Sequence, residues 1–236
     1  MCWKEPRVRG CQSAEEEEAR TVSEARTVSD RYENDVGPPT RSVFGDRQPL
    51  KPGDAATAVA RSVVKAAVLL MQRRIRQPTE HVGDVLSFAD GTAAAVYRET
   101  VVRRPTTPDP AVLVVAFRLR WVRGRWHALF RAESLLNTPL FVGFEGFVSK
   151  LWLRHDEQGR YRGLYEWDGP ALADAYARAL WWVLWLVCER GSIHYRVVPG
   201  RHRDDVLHTP GVLGPAGTEL EWWRLDRVDP PAPVSD

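Results

Sequence analysis

What this sequence lacks narrows it first. It has three cysteines, Cys2, Cys11 and Cys188. Two fall in a polar N-terminal stretch and one in an apolar run, so neither a disulfide framework nor a metal-ligand spacing results. A reducing cytoplasm is the expected setting, with no metal. Long hydrophobic runs are missing too: the longest, Ala179 to Cys188, has ten residues, against the roughly 20 that span a bilayer. No transmembrane segment is expected. The opening MCWKEPRVRG carries charge but no apolar stretch, so no secretory leader is expected either. Nor is there an excess of one charge. Lys+Arg 33 against Asp+Glu 31 leaves +2, which gives no basic footprint for nucleic acid, and that partner class is set aside. The chain also lacks Gly-x-Gly-x-x-Gly, a Walker loop, Gly-x-Ser-x-Gly and His-Glu-x-x-His. Nucleotide use, serine hydrolysis and zinc proteolysis have no support, and no cofactor is expected.

What is present falls into four stretches. Residues 1–54 read as disordered: Glu15 to Glu18 form an acidic block, and Ala-Arg-Thr-Val-Ser-Glu at 19–24 is repeated as Ala-Arg-Thr-Val-Ser-Asp at 25–30. So few apolar side chains cannot offset the entropy of ordering the chain. Residues 55–110 read as a helix followed by a hairpin. Asp54 is the expected N-cap; Ala56, Val59, Ala60, Val63, Ala67, Leu70 and Met71 recur at helical spacing, with Arg61, Lys65 and Arg73 opposite, and Pro78 ends the pattern. This stripe can pack on the body of the protein or lie on an anionic membrane. Val82–Phe88 and Ala93–Val102 flank Asp90-Gly91, a hairpin dipeptide, and Pro105, Pro108 and Pro110 read as a stiff linker. Residues 201–236 read as an irregular tail, in which Trp222 and Trp223 can staple the tail to the core or to a partner subunit.

Residues 111–200 carry the strongest pattern. Val112–Val122 reads as a strand, Arg125–Asn137 as a helix, and Val148–Arg154 and Tyr161–Asp168 as a strand pair around Asp156-Glu157-Gln158-Gly159. Pro170 to about Arg190 reads as a long helix ended by Gly191, and Ser192–Val198 as a last strand. The order β-α-β-β-α-β predicts an α+β, ferredoxin-like domain with both helices on one sheet face. Large apolar groups stand on both sides of the strands, so the other face needs a cover. A homodimer closed through the sheets is the expected solution.

Three short segments carry a family resemblance: Gly146-Phe147-Val148-Ser149-Lys150-Leu151-Trp152, then Tyr161-Arg162-Gly163-Leu164-Tyr165-Glu166-Trp167, then Ala173-Asp174-Ala175-Tyr176. They resemble the YdhR-type monooxygenases of the antibiotic-biosynthesis-monooxygenase-like dimeric α/β barrel superfamily. The resemblance extends over roughly Val112 to Pro199, under half the chain. It implies an obligate dimer with a pocket between helices and sheet. Some members of that superfamily oxidise aromatic substrates without metal or flavin and some degrade haem; the expectation taken from it is cofactor-free oxidation of a hydrophobic or aromatic small molecule.

Such chemistry needs an apolar pocket, a group that steadies an electron-rich substrate anion, and exclusion of water. Lys150 and Trp152 share a strand face. A lysine drawn into an apolar site loses basicity, which suits it to proton transfer or to holding an oxyanion; a lysine snorkelling at a sheet edge is the bland alternative. Tyr165 and Trp167 share a face of the neighbouring strand and can sandwich a ring, or simply pack. His127 and His194 are the histidines inside the core pattern and can serve as a base or bind haem iron, though no second ligand stands at a useful spacing. The expected catalytic set is Lys150, Tyr165 and His127; Trp152, Trp167, His194 and Phe117 are expected to bind substrate. The competing expectation is a non-catalytic binding or scaffolding protein. An enclosed cavity at Lys150 favours the enzyme, and a cavity filled by Trp181, Trp182 and Trp185 favours the scaffold.

Overall fold

A computed structural model describes residues 48–104, 106–120, 138–210 and 221–231. The expected disordered stretch up to residue 47, the expected helix Arg125–Asn137 and His127 lie outside the described residues.

The first helix among the described residues is α1, Pro52–Met71. Proline suits the first helical turn because its missing N–H has no partner there anyway, so the helix starts two residues before the expected cap Asp54. It ends when Arg73 takes a left-handed conformation (φ 54°). Arg73 N–H then donates to Leu70 O and Arg74 N–H to Leu69 O, each at 2.9 Å, the double bond of a Schellman cap. Strand β1, Ile75–Arg76, follows, then the hairpin β2, Val85–Phe88, and β3, Ala93–Val102. The remaining strands are β4, Pro110–Arg118; β5, Phe147–Leu153; β6, Arg160–Asp168; β7, His194–Pro199; and β8, Leu225–Asp229. Among the described residues, three further helices are α2, Pro139–Val142; α3, Pro170–Val187; and α4, Arg203–His208. No helix among the described residues is long and apolar enough to cross a membrane.

All strand pairs are antiparallel, in the order β7-β4-β6-β5-β3-β2-β8, with β1 also on β3, making an eight-stranded sheet. This corrects the expected fold class. The protein is a curled antiparallel sheet with few helices, a half-barrel, and not a ferredoxin-like βαββαβ domain or a dimeric α/β barrel. The reason lies at β5. Its free edge is a row of unpaired backbone groups, a template for another strand. Ten-residue β3 fills it, with Glu99 opposite Leu151 and Thr100 opposite Lys150. Register shifts at Val96/Arg98, Ser87/Phe88 and Phe147/Ser149 then add the local twist that bends the added strands over. Helix α3 also stops earlier than expected. Cys188 is extended and bridges to Leu119.

The curl gives the sheet two buried faces. On the first, Leu113, Val115, Trp152, Tyr165 and Trp167 pack under α1, α2 and α3. On the second, Val96, Val112, Val114, Leu151, Leu153 and Leu164 are covered by Leu86 and Phe88 of the curling β2, by Val206 and Leu207 of α4, and by Trp222, Trp223 and Leu225. The chain's own hairpin and C-terminal segment thus cover the face that a partner was expected to cover, and the stated motive for a sheet-to-sheet homodimer is gone. Arg162 points into this second layer. It binds Asp90 and Asp156, each at 2.7 Å, and donates through Nε to Trp222 O at 3.2 Å.

The helix α1 is rotated from the expected orientation. Its buried residues are Ala55, Ser62, Ala66 and Leu69, while Ala56, Ala60, Val63, Ala67, Leu70 and Met71 face solvent.

Candidate functional site

Lys150 lies opposite Tyr165 on one side and Thr100 on the other. It sits on an interior strand and is buried, so it is not a snorkelling edge residue. Its Nζ stands 3.3 Å from the centre of the Trp152 ring and 4.6 Å from those of Phe141 and Tyr165. Residues two apart on a strand share a face, which puts Trp152 beside it; Tyr165 comes from the neighbouring strand and Phe141 from α2 above. Trp152 is fixed by donating from Nε1 to Thr100 Oγ1 at 3.1 Å, and the Arg98 guanidinium lies 3.9 Å from its ring centre.

This box sets the electrostatics. Burial, and then the nearby Arg98 cation, hold the Lys150 ammonium well below the usual lysine range, which favours the neutral amine. Tyr176 OH donates to Tyr165 OH at 3.4 Å, and burial pushes both phenols up, so both stay protonated. Trp167 meets Tyr176 at 4.8 Å and Phe147 at 5.7 Å between ring centres.

Of the expected site residues, the structure brings together Lys150, Trp152 and Tyr165, with Trp167 next to them through Tyr176. It does not bring in Phe117, which stacks on Tyr161 at 5.9 Å near the far end of β6. Nor does it bring in His194, which lies against Trp222 on the second face. Burial, then Arg160 and Arg118, lower the His194 pKa. Four neighbours had no expected role: Arg98, Thr100, Phe141 and Tyr176. Tyr176 stood in the family-like segment, and the pattern Arg98-x-Thr100 on a strand was a usable signal. Phe141 follows Pro139 in a segment with no periodicity to read.

Two cavities matter. One, between α3 and the sheet, is lined by Val115, Tyr176, Leu180, Leu184, Ile193 and Tyr195 and has a volume of about 10 Å³, room for a water at most. The interior is filled by Phe141, Trp167 and Tyr176. Trp181, Trp182 and Trp185, whose filling of the cavity would have favoured the scaffold, instead form a half-exposed cluster whose rings pack on one another at 4.9–6.4 Å. The second is an open cleft of about 230 Å³ where α1, the end of β3 and the turn before β5 meet. Leu69, Val102 and Phe147 form apolar wall, and Lys65, Arg74 and Arg104 supply cations, with Glu145 also lining it. Arg104 is oriented by Asp168 Oδ2 at 3.2 Å and Phe147 O at 3.4 Å; Arg74 donates to Arg103 O at 3.0 Å. Among the described residues, no group of three or more His, Cys, Asp or Glu side chains is placed to hold a metal ion.

Comparison of the chain with protein-family models, curated proteins and solved structures gives no match. The class that the coordinates define is therefore architectural: a curled antiparallel half-barrel with an aromatic-boxed lysine inside and a basic cleft outside.

Proposed function

We propose that this chain is a non-catalytic binding protein whose ligand site is the cleft between α1, β3 and the turn before β5. The observation that carries this reading is the distribution of space. The interior at Lys150 is packed with aromatic rings, whereas the cleft offers about 230 Å³ and carries Lys65, Arg74 and Arg104 over an apolar wall. That volume lies below the usual range for drug-sized ligands, so the ligand is small. Its chemistry is a carboxylate or phosphate ester on a short apolar body, because guanidinium groups bind planar and phosphate oxygens in charge-assisted pairs. Titration calorimetry with hexanoate, hexyl phosphate and hexylamine tests it. Both anions should bind and the amine should not, and Arg74→Met should weaken the anions about tenfold. Equal binding of the amine overturns the reading.

One observation favours a second reading. A lysine whose basicity is lowered by burial, beside Tyr165 and Trp152, suits the proton transfer that a monooxygenase-like enzyme of the resembled family would use on an aromatic substrate. That reading needs the box to open, and a homodimer rests on the same likeness alone. Oxygen uptake with an aromatic quinol, lost in Lys150→Met, would favour it over binding without turnover.

A further inference from the structure

The exposed side of α1 is unlike the rest of the surface. Five of the eight large exposed apolar side chains among the described residues are on this one helix: Val63 (41%), Val64 (67%), Val68 (45%), Leu70 (66%) and Met71 (84%). At about 3.6 residues per turn, Leu70, Val63, Ala56, Ala67, Ala60, Met71 and Val64 sweep a continuous arc of about a third of the helix circumference. The arc is separate from the buried side, where Ala55, Ser62, Ala66 and Leu69 meet the body of the protein. The helix therefore has two apolar sides. The packed side carries Leu69 with Ala55, Ser62 and Ala66, and the bare side carries Val63, Val64, Leu70 and Met71 with Ala56, Ala60 and Ala67.

Charge indicates what covers it. Between Asp54 and Glu80 the chain has no carboxylate, but it has Arg61, Lys65, Arg73, Arg74 and Arg76. Those five cations stand in a chain whose net charge is only +2. Arg61 and Lys65 follow Val68 around the helix, and Arg73, Arg74 and Arg76 follow its C-terminal end, next to the most exposed apolar pair, Leu70 and Met71. Arg73 also holds its charge in a left-handed backbone conformation (φ 54°), where glycine is the residue at ease. A second copy of the same face would bring two five-fold positive segments together, so self-association is opposed. A surface that is apolar just below a layer of anions fits both features.

We propose that the outer face of α1 docks on an anionic lipid bilayer, with Leu70, Met71, Val63 and Val64 entering the headgroup boundary and the cations of residues 61–76 on lipid phosphates and carboxylates. The helix lies in the interface and does not span it. Lys65 and Arg74 also line the cleft, so the variants at Leu70, Met71 and Arg73, none of which lines it, are the ones that separate this surface from the ligand proposed there.

Co-sedimentation of the full chain with phosphatidylserine-containing phosphatidylcholine vesicles, against pure phosphatidylcholine, tests the idea. Binding should be confined to the anionic vesicles and weaken in high salt. The double variant Leu70→Ser, Met71→Ser should lose binding with an unchanged circular dichroism spectrum, because both side chains are exposed. Arg73→Gly provides a second arm that cannot be explained by misfolding. It relieves the left-handed strain, so the melting temperature should hold or rise, while removal of one cation lowers vesicle affinity about fivefold. Three results would overturn the proposal: no binding, equal binding to both vesicle types, or binding unchanged in both variants. Light scattering on the protein alone covers the competing occupant; a dimer that Leu70→Ser, Met71→Ser dissolves would make the face a self-contact and also overturn it.

Discussion

Gly143 and Ser62 meet so closely that a methyl group on the glycine would stand 1.8 Å from the Ser62 carbonyl oxygen. The turn after α2 thus lies directly on the backbone of α1, and Ser62 Oγ donates to Pro139 O at 3.1 Å across the same contact. A small side chain at the contact allows this approach, which is why Ser62, flanked by Ala55 and Ala66, is turned inward there, with Leu69 packing one turn beyond.

Gly143→Ala should therefore destabilise the fold by about 3 kcal/mol, the scale of an overpacked contact that only backbone movement can relieve. Urea denaturation of the variant checks it. A loss under about 0.5 kcal/mol, the size of an ordinary surface change, would mean that α1 can lift without consequence.

Lys150→Met should stabilise the protein at neutral pH by about 1 kcal/mol or more, since it replaces a buried amine that has no carboxylate partner among the described residues by an apolar side chain of similar length. The pH dependence follows from the same burial. The folded protein releases the Lys150 proton well below 10.5, whereas the unfolded chain keeps it to about that value. Between the two, the unfolded state binds more protons, so the wild-type stability should rise with pH toward about 10.5. Below the folded-state pKa both states are protonated and the contribution is absent. Melting curves across alkaline pH should show the rise in the wild type and its loss in Lys150→Met.

Arg162→Met should cost about 3–5 kcal/mol, because Asp156, fully buried with it, is left as an uncompensated charge. Asp90 keeps Arg160 at 2.8 Å, which limits the damage to one carboxylate. The double variant Arg162→Met, Asp156→Asn should be less destabilised than Arg162→Met alone, since asparagine can still accept from the Gln158 and Arg160 backbone N–H groups that now reach Asp156 Oδ1 at 2.9 Å. Thermal denaturation of the wild type, Arg162→Met, Asp156→Asn and the double variant gives the coupling.

By itself the sequence located most of the elements the structure describes. Strands β4 to β7, the hairpin at Asp90-Gly91 and helix α3 behind Pro170 stand within a few residues of their expected places, because alternation, turn dipeptides and proline act over only a few neighbouring residues. The sequence also indicated that both faces of the sheet must be covered, that Lys150 and Trp152 share a face of one strand, and that Tyr165 and Trp167 share a face of its neighbour; the pairing of Lys150 with Tyr165 came from the strand register. The cover itself was decided by tertiary structure. The pairing of β3 with β5, the return of β8 onto β2 and the staple of Trp222 and Trp223 join segments far apart in the chain, and such pairing has no local signature. It is chosen by competition for an open strand edge. The rotation of α1 was likewise beyond periodicity. Two apolar stripes compete on that helix, and the close approach of Gly143 to Ser62 selects the side with a small residue at that contact for the inside. The same packing closed Phe141 over Lys150, turning a lysine that the sequence could place only on a strand face into a buried amine.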